Sequence, residues 1–109
     1  MEAQQMKQRI ERLEQCADDA KAALGSAPSQ DLRKDVEELH QMASQAKKQC
    51  EQGADQQQLQ GAVVQLESCA DRAMEDCRKA GNVDEQLKSA IQRAHSEASQ
   101  LKREMMQAA

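Results

Sequence analysis

The sequence contains no aromatic residue, one proline and four glycines among its 109 residues. Without phenylalanine, tyrosine or tryptophan, no side chain can stack on a nucleic-acid base. The scarcity of proline and glycine leaves long stretches that nothing interrupts, and strong helix formers occupy them. These absences predict an all-α protein and argue against nucleic acid as a partner.

Charge and hydropathy exclude two more classes of partner. Residues 1–53 carry 8 basic and 10 acidic side chains, and residues 54–109 carry 7 and 9, so neither half has the basic stripe that follows a phosphate backbone. No apolar run approaches the ~20 residues that span a bilayer, and the polar segment 2–9 does not resemble a signal peptide. We expect a cytoplasmic protein without membrane contact, in which a reducing compartment keeps the four cysteines free.

The chain contains an internal repeat. Residues 13–20, LEQCADDA, return 53 positions later as LESCADRA, and residues 40–45, HQMASQ, return 55 positions later as HSEASQ. Self-similarity at this period indicates tandem supersecondary units, here two helical hairpins. Repeat 1 is about 1–53, repeat 2 is about 54–109, and the length predicts that both belong to one domain, 1–109.

Three breaks in composition divide the chain into four helices. The breaks fall at residues 25–29, 52–55 and 80–84, and they predict helices over about 2–24, 30–52, 55–80 and 83–107. Ser29 and Asp55 are the expected N-caps, and Gly53 is the expected residue just past the second helix.

Each predicted helix carries an apolar seam with alternating three- and four-residue steps, the spacing of a left-handed bundle. Short loops make consecutive helices antiparallel, and the 24 seam positions then form six layers of four. The layers are Met6/Cys50/Leu59/Met105, Ile10/Ala46/Val63/Leu101, Leu13/Ala43/Leu66/Ala98, Ala17/Leu39/Ala70/Ala94, Ala20/Val36/Ala73/Ile91 and Leu24/Leu32/Cys77/Leu87. The sequence therefore predicts an antiparallel up-down-up-down four-helix bundle built from two tandem hairpins.

Two cysteines and two histidines are repeated along with the seam and are the candidate site residues. Cys16, His40, Cys69 and His95 fall at about one height of the predicted bundle. Two thiolates and two imidazoles form a donor set that suits zinc. The opposing interpretation is that the cysteines are small buried hydrophobes, and that the histidines bond Glu14 and Glu67 across the helix pairs.

A carboxylate pattern offers a second metal hypothesis. The order Glu14, Glu37-x-x-His40, Glu67, Gln92-x-x-His95 resembles that of ferritin-like di-iron proteins, whose ligands project into the bundle. Gln92 stands where that order has a glutamate, and Glu37 falls at an outward heptad position. Iron is therefore not the metal that we expect.

No nucleophile motif or phosphate-binding loop is present, so we expect a protein that is not an enzyme. The leading hypothesis is a small interaction or adaptor protein that binds a protein partner or a second copy of itself. The alternative is a metal-binding or thiol-based sensor or storage protein that uses the repeated cysteines and histidines. In that case zinc is the expected metal, bound by Cys16, His40, Cys69 and His95.

Overall fold

The computed structural model describes residues 3–26 and 29–107, and these residues form four α-helices and no strand. The helices are α1 (Ala3–Ala22), α2 (Gln30–Glu51), α3 (Gln56–Ala80) and α4 (Glu85–Gln107). Each helix packs against its neighbours in sequence, and α4 also packs against α1 and closes the ring. The prediction of an all-α four-helix bundle is confirmed.

Two of the helices begin at the predicted caps. The Ser29 hydroxyl accepts a hydrogen bond from the Leu32 amide at 3.1 Å. At α3, the Asp55 carboxylate accepts from the Gln58 amide at 2.8 Å, and the Gln58 side chain accepts from the Asp55 amide at 3.3 Å. This reciprocal pair is a capping box, so Gln58 has a structural role in an otherwise exposed run of glutamines.

Other helix ends differ from the prediction by a residue or two. α1 ends at Ala22 because the Ala23 amide donates to both Asp19 and Ala20, and the chain tightens into a 3-10 turn over Leu24–Ser26. α4 begins at Glu85 because Asp84 caps it: the Asp84 carboxylate accepts a hydrogen bond from the Gln86 amide at 2.7 Å. The predicted start of the first helix at residue 2 lies outside the described residues.

The backbone turns left-handed just after α2 and just after α3, and a glycine occupies that position in both cases. Gly53 after α2 has φ +78° and Gly81 after α3 has φ +72°. A residue with a Cβ is strained in this conformation, so glycine suits both positions. Gly53 thus takes the position that the sequence assigned to it.

The predicted core is confirmed at 23 of its 24 positions. Of the 24 seam positions, all are buried except Cys50, which is half-buried at one end of the bundle. Four further residues that flank the seam are also buried: Cys16, Asp35, Cys69 and Ala90. Asp35 is the unexpected member of this group, since an acidic side chain is rarely buried without a partner.

The core is divided into two clusters along its length. One cluster contains the first four predicted layers, and the other contains the last two. The division falls between the Ala17/Leu39/Ala70/Ala94 and Ala20/Val36/Ala73/Ile91 layers, which together hold five alanines. Alanine side chains are too short to bridge from one layer to the next, so the apolar contacts are interrupted there.

Candidate functional site

The four predicted site residues lie at four different helix interfaces. Cys16 lines a groove between α1 and α4, and Cys69 contacts α2 from α3. His40 reaches from α2 to α1, and His95 reaches from α4 to α3. The structure therefore separates the cysteines from the histidines, and it does not bring the four side chains together.

Each histidine pairs with an aspartate of its own hairpin. Nε2 of His40 lies 2.6 Å from Oδ1 of Asp18, and His95 makes the equivalent contact with Asp71. Asp18 and Asp71 are 53 positions apart and belong to the repeated segment. The histidine contacts are therefore an interhelical link that the structure repeats in both hairpins.

The expectation that the histidines bond Glu14 and Glu67 is wrong. Glu14 accepts a hydrogen bond from the Ser44 hydroxyl at 3.2 Å and pairs with Lys47 at 3.3 Å. The bond to Glu14 raises the pKa of Lys47.

Glu67 repeats this arrangement in the second hairpin. It accepts from Ser99 and from Lys102, both at 2.8 Å. These two bonds hold the pKa of Glu67 below its usual range. The two hairpins thus share one polar network in addition to the histidine links.

The tilt of helical side chains explains why the histidines pair with aspartates and not with the glutamates at their own height. Every Cα–Cβ bond leans toward the N-terminus of its helix, so two side chains at one height of an antiparallel pair lean apart. His40 leans toward the C-terminal end of α1 and finds Asp18, one turn beyond Glu14. Glu14 leans the other way and finds Ser44 and Lys47.

Cys69 is enclosed by α2 and by its own helix. Its side chain is 1% exposed, and its thiol lies 3.2 Å from the Met42 sulfur. The Arg72 guanidinium donates to the same thiol at 3.1 Å. Burial raises the pKa of Cys69 against the lowering effect of Arg72.

Cys16 occupies the equivalent place between α1 and α4. It borders an open depression of about 410 Å³, which Arg12, Arg93 and Glu97 also line. Burial raises the pKa of this thiol as well, and it does the same for Cys50 and Cys77. Thiolate is the form that binds metals and reacts with oxidants, so these surroundings disfavour both reactions at neutral pH.

No metal centre is formed among the residues that the structure describes. Within ranges 3–26 and 29–107, no three His, Cys, Asp or Glu side chains are grouped so that they could hold a metal ion. This arrangement favours neither the zinc hypothesis nor the di-iron pattern. Zinc binding stays an untested alternative hypothesis.

A pair of aspartates, Asp35 and Asp76, lies between α2 and α3, and the heptad pattern does not predict it. Asp35 is 8% exposed, and one of its carboxylate oxygens is buried without a hydrogen-bond partner. Burial, together with the hydrogen bond and the negative charge of Asp76, raises the pKa of Asp35 to about 7. The internal repeat gives the one sequence clue to this pair. In the α1–α4 interface, alanines Ala23 and Ala90 stand at the positions equivalent to Asp76 and Asp35.

The outer surface between α2 and α3 contains an uncharged patch, which we call the neutral face. It borders a shallow depression of about 270 Å³ and consists of Met42, Gln45, Ala46, Gln49, Gln58, Gly61, Ala62 and Gln65. Residues 56–66 carry no charge, in a chain of which 31% is charged. Val64, at 38% exposure one of the two large hydrophobic side chains exposed in the described residues, belongs to the same stretch of α3.

The equivalent surface between α1 and α4 is ionic. Arg9 stands where the neutral face has Ala62, and it pairs with Glu104 and, at 3.6 Å, with Glu97. Its guanidinium also donates to Gln100 at 3.5 Å. Duplication therefore produced two equivalent interfaces that now differ in charge.

Four other depressions on the described surface are lined partly by charged side chains. None of the helices in ranges 3–26 and 29–107 combines the length and apolar character that a bilayer crossing requires. No protein-family model matches the chain, and comparison with curated proteins and with solved structures found no match either.

Proposed function

We propose that the protein is a small, non-enzymatic interaction protein of the cytoplasm that associates with a second copy of itself through the neutral face. The single observation that supports this proposal is the contrast between that face and the charged surface around it. The four free cysteines are consistent with a reducing compartment.

A second copy fits this face because of its charge. A twofold interface places the same patch of both molecules together, so any charged patch meets charges like its own. The residues of the neutral face avoid that repulsion. They are also self-complementary, because a glutamine amide both donates and accepts hydrogen bonds.

The size of the face sets the strength of the association. The face spans residues 42–49 of α2 and 58–65 of α3, which is about 12 Å of length across two neighbouring helices. This corresponds to roughly 250 Å² per copy, below the ~800 Å² per partner of a stable complex. The dimer that we propose is therefore weak and reversible, and it forms only as protein concentration rises.

Sedimentation equilibrium over a wide concentration range tests this proposal. We expect reversible dimerisation of the wild-type chain and at least a tenfold weaker association in the double variant Gln45→Glu/Gln65→Glu, which places like charges on the face. Gln8→Glu is the matched control, because it adds a negative charge at the exposed α1 position that is equivalent to Gly61. A wild-type chain that stays monomeric, or a double variant that associates like wild type, would contradict the proposal.

The metal or thiol alternative has no structural observation in its favour. The candidate ligands lie at separate interfaces, and the pKa of every cysteine thiol is raised. These observations support no second function, and direct measurement decides whether zinc binds.

A further inference from the structure

Among the ion pairs that join the two hairpins, two lie at positions related by the internal repeat. Asp19 of α1 pairs with Arg93 of α4 at 3.6 Å. On the opposite side of the bundle, Arg72 of α3 pairs with Glu38 of α2 at 3.3 Å. Both pairs link the first hairpin (α1 and α2) to the second (α3 and α4).

The internal repeat relates these two pairs to each other with reversed sign. Position 72 is equivalent to position 19, and arginine replaces aspartate there. Position 93 is equivalent to position 38, and arginine replaces glutamate there. The contact itself is kept in both interfaces, while the charges on the two sides are exchanged.

This reversal discriminates between like and unlike hairpins. If two first hairpins packed together in the same geometry, Asp19 would face Glu38 in both interfaces. If two second hairpins packed together, Arg72 would face Arg93. Only a first hairpin combined with a second hairpin brings opposite charges together in both interfaces.

Arg9 adds to this preference. Its partners on α4 are Glu97 and Glu104, whereas the equivalent residues on α2 are Met42 and Gln49. Its side chain is 18% exposed, so a first hairpin in place of the second would leave a largely buried guanidinium without a carboxylate.

The aspartate pair acts in the opposite direction. In a combination of like hairpins, Asp35 would face alanine instead of Asp76, which relieves the repulsion between the two carboxylates. The preference for unlike hairpins therefore rests on the two ion pairs and on Arg9, against this single opposing contact.

We propose that the surface between the hairpins is a recognition surface that accepts only the unlike hairpin. Its partner is the second hairpin of the same chain or, when two copies exchange hairpins, the second hairpin of the other copy. Repulsion between like charges disfavours the association of two first hairpins or of two second hairpins. This proposal does not require dimerisation through the neutral face, because the ion pairs join the two hairpins within one bundle.

A charge exchange within the full chain tests it without changing composition or net charge. The double variant Asp19→Arg/Arg72→Asp places like charges in both interfaces of the native bundle. We expect its melting temperature at low ionic strength to fall by about 5 °C or more, and about 1 M NaCl to remove much of the difference.

The quadruple variant Asp19→Arg/Glu38→Arg/Arg72→Asp/Arg93→Glu restores opposite charges with every sign inverted. We expect it to regain most of the lost melting temperature. Since it contains both substitutions of the double variant, recovery separates the charge pattern from any damage done by the individual side chains. A double variant as stable as wild type, or a quadruple variant that stays as unstable as the double, would overturn the proposal.

Discussion

Nε2 of His40 lies 2.6 Å from Oδ1 of Asp18, and the equivalent residues of the second hairpin, His95 and Asp71, make the same contact. Both pairs are partly exposed, so each is expected to contribute only about 0.5–1 kcal/mol to folding. Because the two pairs share no partner, their contributions should add.

Asp18→Asn and Asp71→Asn test this directly in urea unfolding. We expect each variant to lower the free energy of unfolding by about 0.5–1 kcal/mol, and the double variant to lose the sum. Glu11→Gln, an exposed carboxylate on the same helix as Asp18, is the control and should change little. Losses that differ widely between the two hairpins would show that the repeat does not preserve this contact.

The aspartate pair predicts an unusual dependence of stability on pH. The pKa of Asp35 is about 7 in the folded protein, above the ~3.9 of an unfolded chain. A folded state that holds the proton more tightly is favoured at low pH. The contribution of protonated Asp35 to the free energy of unfolding is fully present below about pH 4 and is lost as pH rises to about 7.

Asp35→Asn should remove this dependence. We expect the variant to be about 1–2 kcal/mol more stable than wild type at pH 8, with a smaller difference at pH 5. Comparison of urea unfolding at the two pH values isolates the effect, since the other carboxylates are common to both proteins. A gain that is equal at both pH values would assign the effect to packing and not to the buried charge.

Thiol reactivity should follow burial. Cys50 is the one half-buried cysteine, whereas Cys69 is 1% exposed and Cys16 and Cys77 are each 8% exposed. With the pKa of all four thiols raised, we expect slow alkylation of the native protein, with Cys50 modified first and Cys69 last.

Peptide mapping by mass spectrometry after timed alkylation gives this order. In denaturant all four thiols should react alike, and Cys50→Ser should remove the fastest native step. Modification of Cys16 or Cys69 as fast as an unfolded cysteine would contradict the burial that the structure shows and would revive the hypothesis of a thiol sensor.

Zinc binding is decided by native mass spectrometry of the reduced protein. Because the four candidate ligands lie at four interfaces, we expect no stoichiometric zinc and no change of melting temperature with a chelator. Retention of one zinc ion that is lost in the Cys16→Ala/Cys69→Ala variant would show the opposite, namely that these side chains converge in solution.

The heptad spacing was enough to predict the core. Burial in a bundle depends chiefly on which side of a helix a residue occupies, and this follows from its position in the repeat of 3.5 residues. Cys50 is the one seam residue that is only half-buried, although Met6, Leu59 and Met105 of the same layer are buried. Helix ends were predicted less closely, since the competition between capping and a further turn depends on local geometry.

Polar partners were harder to predict than the core. Matching heights placed Glu14 opposite His40, but the tilt of side chains toward the helix N-terminus directs them to different neighbours. The four candidate zinc ligands lie at separate interfaces for a related reason. Residues that flank a seam on its two sides face different neighbouring helices, so equal height does not make them neighbours.

By itself, the sequence determined the all-α class, the duplication of a helical hairpin and the identity of the core residues, because these depend on periodicity along one helix. Only the tertiary structure decided which interface each flanking side chain enters. It thereby showed the buried Asp35 beside Asp76, the neutral face between α2 and α3, and the reversed ion pairs that join unlike hairpins. These features depend on the handedness of packing and on side-chain direction, which bring together residues from separate helices and which a one-dimensional pattern does not contain.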